Sequence, residues 1–336
     1  MHMAEDRGGG RVVRHRGVPL PADDGPARAD GGPERGSDPS TGPVPKPLSR
    51  TRPQRSPGGP RMSSPEPARQ STGTVVLTGA TSGIGEAAAV RLATAAEHLV
   101  VHGPQPESAV LPLLRRLRSA GPARVDYVRA DFGDLDEVVA MADRIAGFDE
   151  GVDVLVNNAG RSGAPERRTS ANGYESTLQT NYLAAVLLTE RLRPLMPVTG
   201  RVVHVASAAH LSVTMRLDDI NLEHDYDPVR AYAQSKLALV AHALWQARVP
   251  DAGAPDIVSI SPGVISTRLL RAMFAVRDGA VQHGAANLLH AALSPDIPSG
   301  SYVDDGRIAR PGRQARDHSF QVALHLKTRE LLAPWT

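Results

Sequence analysis

The chain has no cysteine in 336 residues. That removes disulfides, thiolate nucleophiles and thiolate-bound metals, and it suits a reducing, cytoplasmic setting. No stretch of 18 apolar residues occurs, so no helix is long and apolar enough to span a bilayer. The 12 histidines are scattered without HExxH or any other ligand spacing, which predicts no catalytic metal. Charge of one sign is also scarce, with 38 Lys+Arg against 36 Asp+Glu.

That small balance is unevenly divided. Residues 1–70 hold 12 of the basic and 8 of the acidic side chains, leaving +4 there and −2 in the remainder. The same 70 residues contain 11 Gly and 13 Pro with almost no apolar periodicity. Such a stretch cannot bury enough surface to offset its ordering entropy, so residues 1–70 are expected to be a disordered extension. Its arginines are interleaved with acids and lack aromatic partners, which argues for a solvated linker and against nucleic-acid binding. No apolar core of signal-peptide length follows the early arginines.

What is present in residues 71–336 is an alternation of short apolar, β-branched runs with amphipathic segments. VVLTG, HLVVH, ARVDYVRAD, VDVLVNNAG, RVVHVAS and DIVSISPG read as strands separated by helices. This pattern predicts one α/β domain: a single Rossmann-type, doubly wound parallel sheet with helices on both faces and its binding residues at the carboxyl ends of the strands.

Two motifs carry the chemistry. The first is TGATSGIG at residues 78–85, a glycine-rich turn between the first strand and a helix. Gly79 permits the tight turn, Gly83 lets backbone approach a pyrophosphate, and Gly85 allows close helix packing, while the helix N-terminus offers free N–H groups to phosphates. The second is Tyr232-Ala233-Gln234-Ser235-Lys236. Tyrosine and lysine four apart share a helix face. A phenol with a pKa of about 10 is too weak an acid for exchange near neutrality. An ammonium about 4 Å away at an effective dielectric of about 20 would lower it by roughly three units. The spacing therefore predicts a Tyr232 acid/base tuned by Lys236.

With these and further ordered motifs, the chain resembles the short-chain dehydrogenase/reductase family, and within it the retinol-dehydrogenase-like branch. The correspondence runs through TGATSGIG, Asn157-Asn158-Ala159-Gly160, Asn181 in LQTNYLA, Ser207 in VVHVASAAH, YAQSK, and Ser261-Pro262-Gly263-Val264-Ile265-Ser266-Thr267. The resemblance implies a catalytic set of Asn181, Ser207, Tyr232 and Lys236. It implies a dinucleotide site drawn from Gly79, Thr81, Ser82, Gly83, Ile84, Gly85, Asp131, Asn158, Ala159, Gly160, Tyr232, Lys236, Pro262, Gly263, Val264 and Thr267. Ser207 would hold the substrate oxygen, and Asn181 would support a water linking Lys236 to bulk proton exchange. Asp131 would meet the adenine, with a helix N-cap as its structural alternative.

The implied activity is hydride transfer between NAD(P) and a small-molecule alcohol or carbonyl substrate, in a chain that is compatible with a homo-oligomer. Two alternatives use the same features: a dinucleotide-binding sensor or scaffold without turnover, and a sugar-nucleotide epimerase or dehydratase. The second strand ends in His102-Gly103-Pro104-Gln105, with neither the acid that favours NAD nor the arginine many relatives carry at position 104. This tilts the expectation to NADP over NAD, with His102 assisting the phosphate.

Ser207 and Tyr232 are 25 positions apart, about twice the gap in many relatives. Leu211, Val213, Met215, Leu217 and Ile220 are expected to form a pocket wall for a bulky apolar substrate, followed by an acidic, solvent-facing stretch. His210 is either a pocket residue or a structural one.

Overall fold

The computed structural model describes residues 72–249, 253–263 and 281–336. The N-terminal extension and the site candidates Val264 and Thr267 lie outside the described residues.

Eight strands form one sheet: β1 (Thr72–Leu77), β2 (Ala96–Gly103), β3 (Arg124–Arg129), β4 (Val154–Asn157), β5 (Arg201–Val205), β6 (Asp256–Ser261), β7 (Tyr302–Asp304) and β8 (Arg307–Ala309). Their order is β3-β2-β1-β4-β5-β6-β7-β8. The chain winds outward from β1 in one direction and from β4 in the other. The crevice above the β1/β4 boundary is therefore the switch point where such sheets bind ligands.

All pairings are parallel except β7 with β8. That exception departs from the expected all-parallel sheet, and its cause is local. Asp305 and Gly306 join the two strands with φ of 48° and 77°. Two successive residues at positive φ make the tight turn that suits an antiparallel hairpin, and Asp-Gly is a favoured pair for it.

Alternate strand residues face opposite helical layers, as the period of two requires. Val75, Leu77, Leu99, Val101, Val203 and Val258 pack toward α1 (Gly83–Leu92), α2 (Glu107–Ala120) and α7 (Val281–Leu293). Val76, Val100, Leu155, Val202 and Ile257 pack toward α3 (Leu135–Ala146), α5 (Ala184–Leu192), α6 (Pro228–Gln246) and α8 (His318–Leu332). The strands are buried on both sides and read as near-continuous apolar runs for that reason.

The helix carrying Asn181 is not uniform. It opens as α4 (Ser176–Leu178), capped by the Glu175 carboxylate, which accepts from the Thr177 and Leu178 N–H groups. It then passes through a π-helical turn over Gln179–Leu183 before continuing as α5. Such one-residue expansions are rare and concentrate at functional sites.

Candidate active site

The turn from β1 into α1 forms a backbone cradle. Gly79 has φ of 64°, and a Cβ there would stand 2.7 Å from the Ala159 Cα. A Cβ on Gly85 would stand 2.1 Å from the Gly79 carbonyl oxygen, so a side chain at either position closes the turn. Ser82 occupies the N-cap position of α1 but makes no side-chain cap hydrogen bond. The first-turn N–H groups of α1 are thus left to an anionic ligand. This arrangement fits the diphosphate of NAD(P), which Thr81, Ser82, Gly83 and Ile84 would hold.

The cradle is fastened from beneath. Thr78 Oγ1 accepts from the N–H groups of Asn158 and Ala159, both at 2.9 Å. Asn158 Nδ2 donates back to the carbonyls of Thr78 at 2.8 Å and Gly79 at 3.0 Å. The Asn158 side chain is therefore spent on shaping the loop, while Ala159 and Gly160 continue along the crevice. On the far side, Pro262 accepts from Asn287 Nδ2 through its carbonyl at 3.2 Å, and Gly263 follows with φ of 94°.

His102 does something other than expected. It is buried, its Nδ1 accepts from the Gly79 N–H at 3.1 Å, and its Nε2 pairs with the Ala130 carbonyl at 2.9 Å. Accepting at one nitrogen and donating at the other requires the neutral ring. Burial pushes its pKa down to about 4. A neutral, enclosed imidazole with both nitrogens committed cannot assist a phosphate, and its role is to hold the glycine turn.

Asp131 is exposed at the end of the third strand, where an adenine would lie. Its Oδ1 accepts from the Gly133 N–H at 2.8 Å. The N-cap of α3 is Asp134, which accepts from the Asp136 N–H, so the capping role expected of Asp131 belongs to its neighbour.

The four catalytic candidates converge above β5. Tyr232, on α6, is buried, and Ser207, which follows β5, is near enough to oppose the effect of that burial on its phenol. Lys236 stands one turn further along α6, with Nζ 5.7 Å from the centre of the Tyr232 ring. Asn181 in the π turn donates from Nδ2 to Ser235 Oγ at 2.9 Å, and Ser235 donates to the Tyr232 carbonyl at 2.7 Å. Asn181 also exchanges two hydrogen bonds with the backbone of Arg161, at 2.8 and 3.0 Å. The space between Asn181 and Lys236 is kept open by Gly160, where a Cβ would lie 3.2 Å from Asn181 Oδ1 and 3.5 Å from Lys236 Nζ.

The electrostatics differ from the simple pair argued above. Lys236 Nζ donates to the Val205 carbonyl at 2.7 Å. Full burial brings its pKa down to about 8. Tyr232 is pushed above the usual phenol value by burial, with Ser207 opposing. Burial of the phenol sets the direction, and Lys236, whose ammonium is bonded to a strand carbonyl, is not among the causes of the shift. The expected lowering of the Tyr232 pKa is thus not a property of the protein alone.

His210 takes the structural role. Its Nδ1 lies 2.7 Å from the Ser207 carbonyl, its Nε2 accepts from the Gly312 N–H at 3.0 Å, and burial lowers its pKa. It ties the loop behind Ser207 to the C-terminal segment. The apolar run beyond it divides. Met215 and Ile220 are 3% and 4% exposed within the core cluster, and the Met215 backbone is held at both N–H and carbonyl by Gln314. Val213 and Leu217 pack partly against the same cluster, whereas Leu211 is 56% exposed. Met215 and Ile220 are therefore core side chains, because the extra chain folds back on the domain and is tied there through Gln314.

Ser235 and Thr78 were not singled out from the sequence. The available signal was adjacency, since each directly precedes a motif residue, Lys236 and Gly79.

With this geometry in view, comparison with known proteins is decisive. A family model described as short chain dehydrogenase matches residues 73–277. The chain belongs to the short-chain dehydrogenase family, whose members are NAD(P)-dependent oxidoreductases of alcohol and carbonyl groups. It is 33% identical over 287 residues to a polyprenol dehydrogenase of Mus musculus, covering 79% of this chain and 84% of that one. It is 35% identical over 250 residues to a protein of Streptomyces sp. (strain C5) named for daunorubicin C-13 ketoreductase activity, covering 70% and 84%. Among solved structures, an uncharacterized Mycobacterium paratuberculosis protein superposes with a TM-score of 0.64 at 30% identity, covering 78% of this chain and 94% of that one. Among the described residues no helix is long and apolar enough to cross a membrane.

Proposed function

We propose that this oxidoreductase transfers hydride between NAD(P) and a bulky, mostly apolar alcohol or carbonyl compound, with Tyr232 as the acid/base. The observation that carries the reading is the convergence of Tyr232 and Lys236 on α6 with Asn181, tied to that helix through Ser235, and with the end of β5, where Lys236 is bonded to the Val205 carbonyl.

Bound NAD(P) supplies or accepts the hydride, and the side chains do the rest. The raised Tyr232 pKa keeps its hydroxyl protonated near neutrality, the form needed to donate to a carbonyl oxygen as that oxygen gains charge. Ser207 offers a second hydroxyl to the same oxygen. Lys236 is held by Val205 and faces the space next to Gly160, where it would hold the nicotinamide ribose. A cation brought nearer to the phenol on cofactor binding would lower the Tyr232 pKa and ease proton return.

The substrate class is supported by the relatives' names, one a long isoprenoid alcohol and one a polycyclic ketone. Leu211, four residues after Ser207, is an exposed apolar side chain, and we assign it to the surface such a substrate would meet. The test is NADPH oxidation by the purified full chain against isoprenoid aldehydes, polycyclic ketones and small ketones, with Tyr232→Phe alongside. Large apolar substrates should have the highest kcat/KM, and the variant should bind dinucleotide yet lose nearly all turnover. Activity above a tenth of wild type in the variant would remove Tyr232 from its role.

A further inference from the structure

The end of β2 is where an adenosine ribose is read, by a carboxylate for a 2′-hydroxyl or by a cation for a 2′-phosphate. Here that corner carries Pro104 and Gln105, both exposed and both uncharged. Its geometry is nevertheless well defined. The Tyr127 hydroxyl lies 2.9 Å from the Gly103 carbonyl and 2.6 Å from the Gln105 carbonyl, pinning the loop to β3. A Cβ on Gly103 would stand 2.4 Å from the Thr81 side chain, so the corner abuts the phosphate cradle directly.

A cation stands on the neighbouring strand. Arg129 is the register partner of Gly103 in the β2–β3 pairing, one inter-strand spacing away, about 4.8 Å. It acts electrostatically on the Tyr127 hydroxyl, as does Glu107 at the start of α2 with opposite sign. Its guanidinium is half exposed and rests on Glu137 in the first turn of α3, with Nη1 3.3 Å from Oε1 and 3.2 Å from Oε2. An exposed pair of this kind is weak and is readily exchanged for a phosphate. A planar guanidinium matches a phosphate through two parallel N–H donors, which a carboxylate at that distance does not fully use.

We propose that Arg129, released from Glu137, binds the 2′-phosphate of NADP and sets the cofactor preference of this enzyme from the third strand, in place of the arginine missing at position 104. Arg129 thereby takes the part that was expected of His102. The inference rests on the dehydrogenase reading above and deepens its cofactor site. Glu137 acts as the restraining partner. Its second oxygen also accepts from the Asp131 N–H at 2.6 Å, a bond that a glutamine at 137 retains through its amide oxygen.

The experiment is calorimetric binding of NADP+, NAD+, 2′,5′-ADP and 5′-ADP to the full chain, Arg129→Gln and Glu137→Gln, without any substrate. Wild type should bind NADP+ and 2′,5′-ADP more tightly than NAD+ and 5′-ADP. Arg129→Gln should weaken NADP+ and 2′,5′-ADP by roughly tenfold or more while NAD+ stays within about twofold. Glu137→Gln should strengthen NADP+ binding selectively, an effect that misfolding cannot imitate. Unchanged discrimination in Arg129→Gln, or a wild type that prefers NAD+ through Glu107, overturns the assignment while leaving the dehydrogenase reading intact. A wild type that binds neither dinucleotide overturns both.

Discussion

The backbone N–H of Gly79 donates to Nδ1 of His102, 23 residues away, at 3.1 Å. The glycine turn is thus held by a neutral imidazole from the adjacent strand. His204, on β5, is likewise buried, and burial lowers its pKa to about 4.

These two histidines make stability depend on pH with a definite sign. Unfolded imidazoles titrate near 6.5. The native pKa values are depressed, so their contribution is complete above pH 6.5, declines as pH falls, and is lost below about 4. Between pH 6.5 and 5 each should cost about 2 kcal/mol. Urea midpoints measured at pH 7 and pH 5 check this, and a His102→Asn variant should flatten the dependence. Equal midpoints at both pH values would contradict the neutral-ring assignment.

Ser235 joins the Asn181 helix to the catalytic turn of α6. Ser235→Ala leaves the Asn181 Nδ2 short of one acceptor in a buried site and should destabilise by about 1–3 kcal/mol. Because Ser235 positions and does not react, kcat should fall several-fold while the dinucleotide Kd is unchanged. A variant with full kcat and reduced Tm would restrict Ser235 to a structural role.

Met215→Ala should behave as a core truncation, costing about 2–5 kcal/mol, with the ranking of substrates preserved. Leu211→Ala should do the reverse, leaving Tm unchanged and raising KM for large apolar substrates. A substrate shift in Met215→Ala without loss of Tm would return that residue to the pocket.

Deletion of residues 1–61 should leave both Tm and kinetics as they are, since a Gly/Pro-rich stretch without apolar periodicity has little to dock. A fall of several degrees in Tm on truncation would show that the extension packs on the domain.

The fold was legible, and so were the motifs whose residues it brings together, because their signals are contiguous. Strands buried on both faces read as apolar runs, and TGATSGIG and YAQSK each place their chemistry within one turn of chain. What escaped depends on pairings across the fold. His102, His210 and Met215 have ordinary neighbours in sequence, and their roles come from Gly79, Gly312 and Gln314, reached only after the strands align. The Tyr232–Lys236 spacing was correct, but the ammonium's strength was not readable, because Val205 and burial set it. The Asp305-Gly306 hairpin was visible in the sequence as a turn pair and simply lay beyond the alternating pattern.

The π turn over Gln179–Leu183 has a consequence for how this helix tolerates change. One surplus residue offsets the angular phase of α4 from that of α5, so Glu175 and Leu178 are aimed by one frame and Leu187 and Leu188 by another. Asn181 sits at the joint. Most point substitutions there preserve both frames, whereas removing a single residue such as Thr180 would force one frame on the whole helix. The Asn181 amide would then swing by about 100°, the rotation for one residue at 3.6 residues per turn, away from Ser235. This helix is therefore more exposed to a one-residue deletion than to most changes of side chain.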